Sequence, residues 1–221
     1  MLSNKRIAIA ILNYNGLNLL KKFLPSVVKH SDKKLSTIYI IDNGSDDESN
    51  IYVKNKFPEI KIIQNDKNYG YAGGYNKGLS KIDYDYYVLI NNDVEVTKGW
   101  LNPMFELLES DQNFATCQPK IKSYYDKKKF DYAGGSGGYL DFLGYPFCRG
   151  RIFDSIEEDS GQYDDKKEIF WSSGACFMIK SKVFKEVNGF DFDFFAHMEE
   201  IDLCWRLKNE KYKNFCQPQS L

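Results

Sequence analysis

The sequence predicts an α/β domain: a Rossmann-like, mostly parallel central sheet with helices on both faces. Three apolar runs carry that prediction, and each ends abruptly in polar residues. Residues 7–12 run into Asn13-Tyr14-Asn15, residues 38–41 into Asp42-Asn43-Gly44-Ser45, and residues 87–90 into Asn91-Asn92-Asp93. A strand buried on both faces of a parallel sheet reads as a near-continuous β-branched run. Open sheets of this kind bind ligands beyond the carboxyl ends of their strands.

The elements follow in order. After the first strand, Leu17, Leu20, Phe23, Leu24, Val27 and Val28 recur at helical spacing. Pro25 should kink that helix or end it early. A second strand covers 37–42. A helix over 47–56 follows, with Ser45 or Asp46 as its N-cap. Residues 60–64 form a third strand, and 71–80 a helix opened by a glycine-rich turn. Residues 86–91 make the fourth strand and 99–110 another helix. This alternation implies parallel strands joined by crossovers.

The second half is less regular. Residues 114–121 read as a strand. The glycine segment 132–139 and the acidic stretch 154–165 read as either a mobile loop over a site or simple disorder. Strand character returns over 168–179, interrupted by Ser172-Ser173-Gly174. Short helices follow at 181–187 and 199–210, then a final strand from 212 that runs into a turn. With no internal repeat and no linker, 1–221 reads as one domain.

Composition narrows the class. The 221 residues are 43% hydrophobic and 28% charged, enough for a sizeable core under an ordinary soluble surface. Net charge is −1 with no long run of one sign. Lys127-Lys128-Lys129 reads as a solvated loop, and no nucleic-acid partner is expected. Five cysteines, odd in number and without a close pair, argue against a disulfide framework or zinc site and for a reducing, cytoplasmic setting. No leader precedes the first strand, and no apolar run approaches the roughly 20 residues of a membrane span. The 16 Tyr and 16 Phe are read chiefly as core, with stacking on sugars the other use.

The polar strand ends carry the chemistry. Asp93, with an amide at Asn91, offers a hard oxygen ligand suited to Mg²⁺ or Mn²⁺ holding a diphosphate. Alone, the same residues would be an Asn/Asp turn. Asn15 could cap the first helix, and Asp46 and Asp47 complement the next helix's N-terminus. Gly70, Gly73 and Gly74 permit positive φ and close approach of backbone to a ligand. The spacing is not the dinucleotide-binding fingerprint.

Together, these strand ends, the segment Gly70-Tyr71-Ala72-Gly73-Gly74 and the stretch 188–206 (NGFDFDFFAHMEEIDLCWR) closely resemble the family 2 glycosyltransferases, whose fold is called GT-A. The likeness runs from about residue 5 to the C-terminus. It implies a nucleotide-binding half over about 5–100 and an acceptor-binding half over about 101–221. Asn13 and Tyr14 would hold the base and ribose. Asp42 would accept the imide N–H of uracil or thymine, with Asp46 nearby. Gly70, Gly73, Asn76, Asn91 and Asn92 would complete the nucleotide-sugar site, and Asp93 would be the metal ligand. Asn91-Asn92-Asp93 stands where the family has Asp-x-Asp, so one formal charge is lost. Glu200 aligns with the general base of an inverting transferase. Glu199, Gly174 and Trp171 would line the acceptor and sugar pocket, although Trp171 reads equally well as core.

The resemblance extends to substrates. The Asn-Gly-Ser turn, the glycine segment and the Asp-Leu-Cys-Trp-Arg helix are most similar to bacterial rhamnosyltransferase-like members that build surface polysaccharide. That implies dTDP-rhamnose or a UDP-sugar as donor. The acceptor would be a glycan or a lipid-linked glycan, with peripheral association at the inner membrane face. The family continues past a final strand into a metal- or phosphate-contacting His, whose place neither His30 nor His197 takes, so a truncated chain is expected. A sugar-1-phosphate nucleotidyltransferase would need a glycine- and arginine-rich loop, which Asn13-Tyr14-Asn15-Gly16 lacks. A non-catalytic nucleotide- or sugar-binding module is the other class.

Overall fold

The computed structural model describes residues 7–132 and 134–221. The first half runs β1 (Ile7–Asn13), α1 (Leu17–His30), β2 (Ser36–Asp42), α2 (Ser49–Lys56), β3 (Lys61–Gln64), α3 (Gly70–Leu79), β4 (Tyr86–Asn91), α4 (Asn102–Ser110) and β5 (Phe114–Pro119). Four short strands follow: β6 (Gly138–Leu140), β7 (Pro146–Cys148), β8 (Arg151–Ile152) and β9 (Ser155–Ile156). The chain closes with β10 (Lys167–Ile169), β11 (Cys176–Lys180), α5 (Ser181–Glu186), α6 (Glu199–Asn209) and β12 (Lys213–Gln217).

The main sheet has eight strands in the order β10-β12-β5-β11-β4-β1-β2-β3. Strands β3, β2, β1 and β4 are mutually parallel. β11 runs antiparallel between β4 and β5, and β10 antiparallel at the edge beside β12. The fold is therefore the mostly parallel α/β architecture that the sequence predicts.

Strand alternation decides which helix covers which face. Ile7, Ile9 and Ile11 of β1 pack with Leu20, Leu24 and Val27 of α1 and Met104 and Leu108 of α4. Burying each such side chain stabilises the fold by about 1.5–3 kcal/mol. Ala8 and Ala10 point to the other face, toward Ala72, Tyr75 and Leu79 of α3 and Leu203 and Leu207 of α6. The small residues there let α3 lie close to the sheet. A Cβ on Gly78 would stand 2.4 Å from Ile41 Cδ1, and one on Gly74 would stand 2.8 Å from Leu12 Cδ1.

Four local expectations change. Pro25 lies inside α1, which continues to His30; the proline is on the exposed side of the helix, where losing one backbone bond is least costly. Helix α2 starts at Ser49 without a side-chain cap on Glu48. Asp47 instead accepts the backbone N–H of Ser49 at 3.0 Å and that of Leu17 at 2.9 Å. One carboxylate thus serves the N-termini of two helices, and these bonds hold its pKa down against the opposing effect of burial. Residues 138–156 form a small antiparallel sheet, β6-β7-β8-β9, where a loop or disorder was expected. The stretch 168–179 splits into two strands that are not neighbours, because Ser172 and Ser173 turn inward: Ser172 Oγ lies 2.8 Å from Thr116 Oγ1, and the Ser173 N–H donates to Gln118.

No helix among the described residues is long and apolar enough to cross a membrane. All five cysteines are free and buried.

Candidate active site

The carboxyl ends of β1, β2 and β4 lie side by side, with Asn13 opposite Asp42 and Leu12 opposite Asn91. Asn13 is fully buried. Its carbonyl oxygen accepts from the Asn92 side chain at 2.9 Å, and its amide donates to Ser45 Oγ at 3.4 Å. Gly16 lies directly over this pair: a Cβ there would be 2.3 Å from Asn13 Oδ1 and 2.4 Å from Asn92 Nδ2. The buried Asn13 amide is thus bonded at both ends and fixed in direction.

A second layer of amides stands behind the first. Asn43 donates to Asn68 Oδ1 at 2.8 Å and to the Gly70 carbonyl at 2.9 Å, and accepts from Asn65 at 3.1 Å. This network ties the end of β2 to the start of α3. Beside it Asp42 is buried, and its Oδ1 has no hydrogen-bond partner. An orphaned buried acceptor is rare in a folded protein and calls for a donor. Asp46 is exposed and gives its backbone N–H to Asn15 Oδ1. Asn15 therefore links two loops and does not cap α1, whose N-cap is Gly16. Tyr14 stands half exposed at the rim.

The glycines of α3 serve packing where ligand approach was expected. Gly70 has φ 70°, and a Cβ there would be 2.1 Å from the carbonyl oxygen of Phe195. That same carbonyl accepts the Tyr71 N–H at 2.7 Å. Gly73 faces Tyr69 and Phe192. Asn76, expected on the nucleotide, spends both ends of its amide on Phe190: it donates to the Phe190 carbonyl at 2.8 Å and accepts its N–H at 3.0 Å. The loop 189–198 is thereby clamped across the N-terminal half of α3.

The clamp aims α6. His197 and Met198 adopt φ 75° and 71°, left-handed values that are uncommon for non-glycine residues and cluster at functional sites. They turn the chain so that Glu199 and Glu200 open the helix. Glu199 is buried, and burial raises its pKa. Burial, and then the neighbouring Glu199, push Glu200 up to about 7. One carboxylate oxygen of each, Oε2, has no partner. The Glu200 carboxylate also accepts a backbone bond from Gly174, which pulls weakly the other way. Gly174 in turn accepts the Tyr71 hydroxyl on its carbonyl at 2.7 Å. Glu200, Gly174 and Tyr71 thus meet where α3, α6 and the turn before β11 converge.

Asn91 and Asp93 line a separate cleft of about 370 Å³ with Ala175, Cys176 and Lys122. Asp93 is exposed. Among the described residues no three His, Cys, Asp or Glu side chains are grouped to hold a metal ion. A single carboxylate fits a divalent ion that takes its other ligands from phosphate and water. Trp171 is packed: it is 7% exposed, its ring lies beneath Gly138, and its indole N–H donates to the Tyr139 carbonyl at 2.9 Å. It is a wall residue, not a free stacking platform.

Asn43, Asn65 and Tyr71 were not singled out from sequence, and Ser45 was expected only as a helix cap. Asn43 follows Asp42 directly, so an amide next to a strand-end acid was the available signal. Nothing local to Tyr71 pointed to Gly174.

A family model described as glycosyl transferase family 2 matches residues 8–188. The chain belongs to glycosyl transferase family 2. Among curated relatives this family 2 chain is 23% identical over 203 residues to an N-acetylglucosaminyl-diphospho-decaprenol L-rhamnosyltransferase of Mycobacterium tuberculosis, covering 85% of the chain and 66% of that protein. It is 23% identical over 211 residues to the low-salt glycan biosynthesis hexosyltransferase Agl10 of Haloferax volcanii, covering 92% and 62%. The chain thus spans about two thirds or slightly less of these relatives' length. In fold, the family 2 chain is similar to GalNAc-T7 solved with UDP, GalNAc and Mn²⁺, with TM-score 0.76, 16% identity, and 99% of this chain covered against 43% of that one. It is also similar to the mannosyltransferase PcManGT from Pyrobaculum calidifontis in complex with GDP-Man and Mn²⁺, with TM-score 0.69, 12% identity, and coverage of 99% and 56%. These likenesses establish the GT-A fold.

Proposed function

We propose that this chain catalyses inverting transfer of a sugar from a pyrimidine nucleotide-sugar to a hydroxyl of a glycan or lipid-linked acceptor. dTDP-rhamnose and UDP-sugars are the donors we favour, surface-polysaccharide synthesis the setting, and the inner face of the plasma membrane the place. The rhamnosyltransferase and hexosyltransferase relatives support this choice. The observation that carries the reading is Glu200: a carboxylate brought near neutrality by burial, with one oxygen unpartnered, at the junction of α3 and α6. A general base works best with a pKa near the operating pH and hydrogen-bond reach to its proton.

In this reading Asp42 Oδ1 accepts the imide N–H of uracil or thymine, supplying the partner it lacks. Asn13 and Asn92 hold the strand ends that carry the nucleotide. Glu200 takes the proton of the acceptor hydroxyl as its oxygen bonds to the anomeric carbon. The bond from that carbon to the diphosphate breaks on the opposite face, and the diphosphate leaves with the electron pair. Asp93 would hold Mg²⁺ or Mn²⁺, which supplies Lewis-acid stabilisation of the departing phosphates.

Calorimetric titration with dTDP, UDP, GDP and ADP, with and without Mn²⁺, tests the donor site. Metal-dependent binding confined to dTDP or UDP is expected; equal binding of all four would overturn the base assignment.

A further inference from the structure

The small sheet bounds a cavity of about 650 Å³, within the size range of ligand pockets. It adjoins the end of α6 that carries Glu200. Met198 and Ile201, which line the cavity, bracket Glu199 and Glu200 in sequence. Gly134, also on the wall, lies against Ser173, next to the Gly174 that bonds Glu200. The lining is mostly apolar, with Phe147, Ile152 and Trp171 prominent.

The sheet also exposes apolar residues with no intramolecular use. Its four strands are consecutive and antiparallel, so the β6–β7 and β8–β9 turns fall at the same end. The first turn carries Phe142 and Leu143, 94% and 67% exposed, and the second carries Phe153, 87% exposed. Phe153 moreover has φ 51°, where a hairpin turn ordinarily uses Asn, Asp or Gly. An aromatic ring held outward in a left-handed turn is unfavourable on both counts, which points to an occupant. On the same wall Arg151 stacks on Tyr132, 3.3 Å from the ring centroid, and donates only to the carbonyls of Phe153 and Tyr132. It forms no ion pair among the described residues, so a positive charge stands beside the hydrocarbon-like surface.

We infer that this cavity takes the hydrocarbon chain of a lipid phosphate, with its phosphate against Arg151 and the attached sugar directed toward Glu200. The inference deepens the transferase reading by naming the acceptor's lipid, while the binding step stands apart from transfer. An apolar chain alone would not use Arg151, and the mostly apolar lining gives a free glycan few hydrogen-bond partners.

The test is equilibrium binding of isopentenyl, geranyl and farnesyl phosphate, each below its micellar concentration, with farnesol as the uncharged control. Affinity should rise at least about tenfold per isoprene unit, since each buried methylene is worth about fourfold. Farnesyl phosphate should bind more tightly than farnesol. Arg151→Gln should erase that difference. Phe153→Asn, which suits the turn, and Phe147→Ser should each flatten the chain-length gain. Affinity independent of chain length, or a gain untouched by both phenylalanine variants, would overturn the inference. So would light scattering that shows a dimer broken by Phe153→Asn, because the patch would then be a self-association face. Titration of the unaltered chain with UDP and Mn²⁺ separates the readings. Lipid binding without nucleotide binding would leave the cavity standing and remove the transferase; nucleotide binding without a chain-length gain would do the reverse.

Discussion

Tyr71 donates its hydroxyl to the carbonyl of Gly174 at 2.7 Å, joining the glycine helix to the turn whose N–H faces Glu200. The two residues are 103 positions apart in sequence. This bond ties α3 to the turn against which the candidate base on α6 rests.

Replacing Glu200 by Gln removes the base while keeping its shape. Transfer should fall by about 10²–10⁴-fold, and nucleoside diphosphate affinity should be nearly unchanged. Steady-state kinetics and calorimetry on the same preparation check both. Equal loss of both would assign Glu200 a structural role.

The raised pKa also predicts two pH dependences. As a base, Glu200 must be ionised, so kcat/KM should rise through a limb near pH 7 and level off above it. For stability the sign is opposite. The folded chain holds this proton more tightly than the unfolded chain, whose carboxyl titrates near 4.5. Stability is therefore lost as pH rises between those values and stays low above them. Glu200→Gln should stabilise the protein at pH 8 by on the order of 1–3 kcal/mol and have little effect at pH 4. Urea melts at the two pH values measure it.

Tyr71→Phe leaves the Gly174 carbonyl without its donor in a partly buried setting. A stability cost of about 1–3 kcal/mol follows. If the tyrosine also positions the turn, the acid limb of the pH–rate profile should move. A stability cost with an unmoved limb would confine Tyr71 to packing.

Asn76→Ala should cost about 1–3 kcal/mol, because both backbone groups of Phe190 lose their partner. Nucleotide affinity measured well below the melting transition should change little. A large selective loss of nucleotide binding would return Asn76 to the ligand.

Asp93→Ala should weaken binding of UDP or dTDP in Mn²⁺ and leave metal-free binding alone. A loss independent of metal would count against the ligand role.

Much of this was legible in the sequence because β1, β2 and β4 are buried on both faces. A strand in that position must be a continuous apolar run, and its polar end must mark the sheet edge. The glycines of α3 were visible but ambiguous: the same residue admits a phosphate or a neighbouring side chain, and only the positions of Ile41, Leu12 and Phe195 decide for packing. The clamp that Asn76 makes was illegible for a similar reason, since its partner Phe190 is 114 residues away. The small sheet was illegible because its strands are two or three residues long, too short for a period to register. Contacts from outside hold it, among them the bridge from Gly138 to Trp171.

The clamp of Asn76 on Phe190 has a bearing on how the protein is made. Its two halves must wait for one another across about half of the chain's length, and loop closure over such a span is slow. A ribosome releasing this chain N-terminus first would expose β1 to β4 as a nearly finished platform well before α6 emerges. Competence for chemistry should arrive in a late kinetic phase, after the bulk of the secondary structure, with the docking of one short helix.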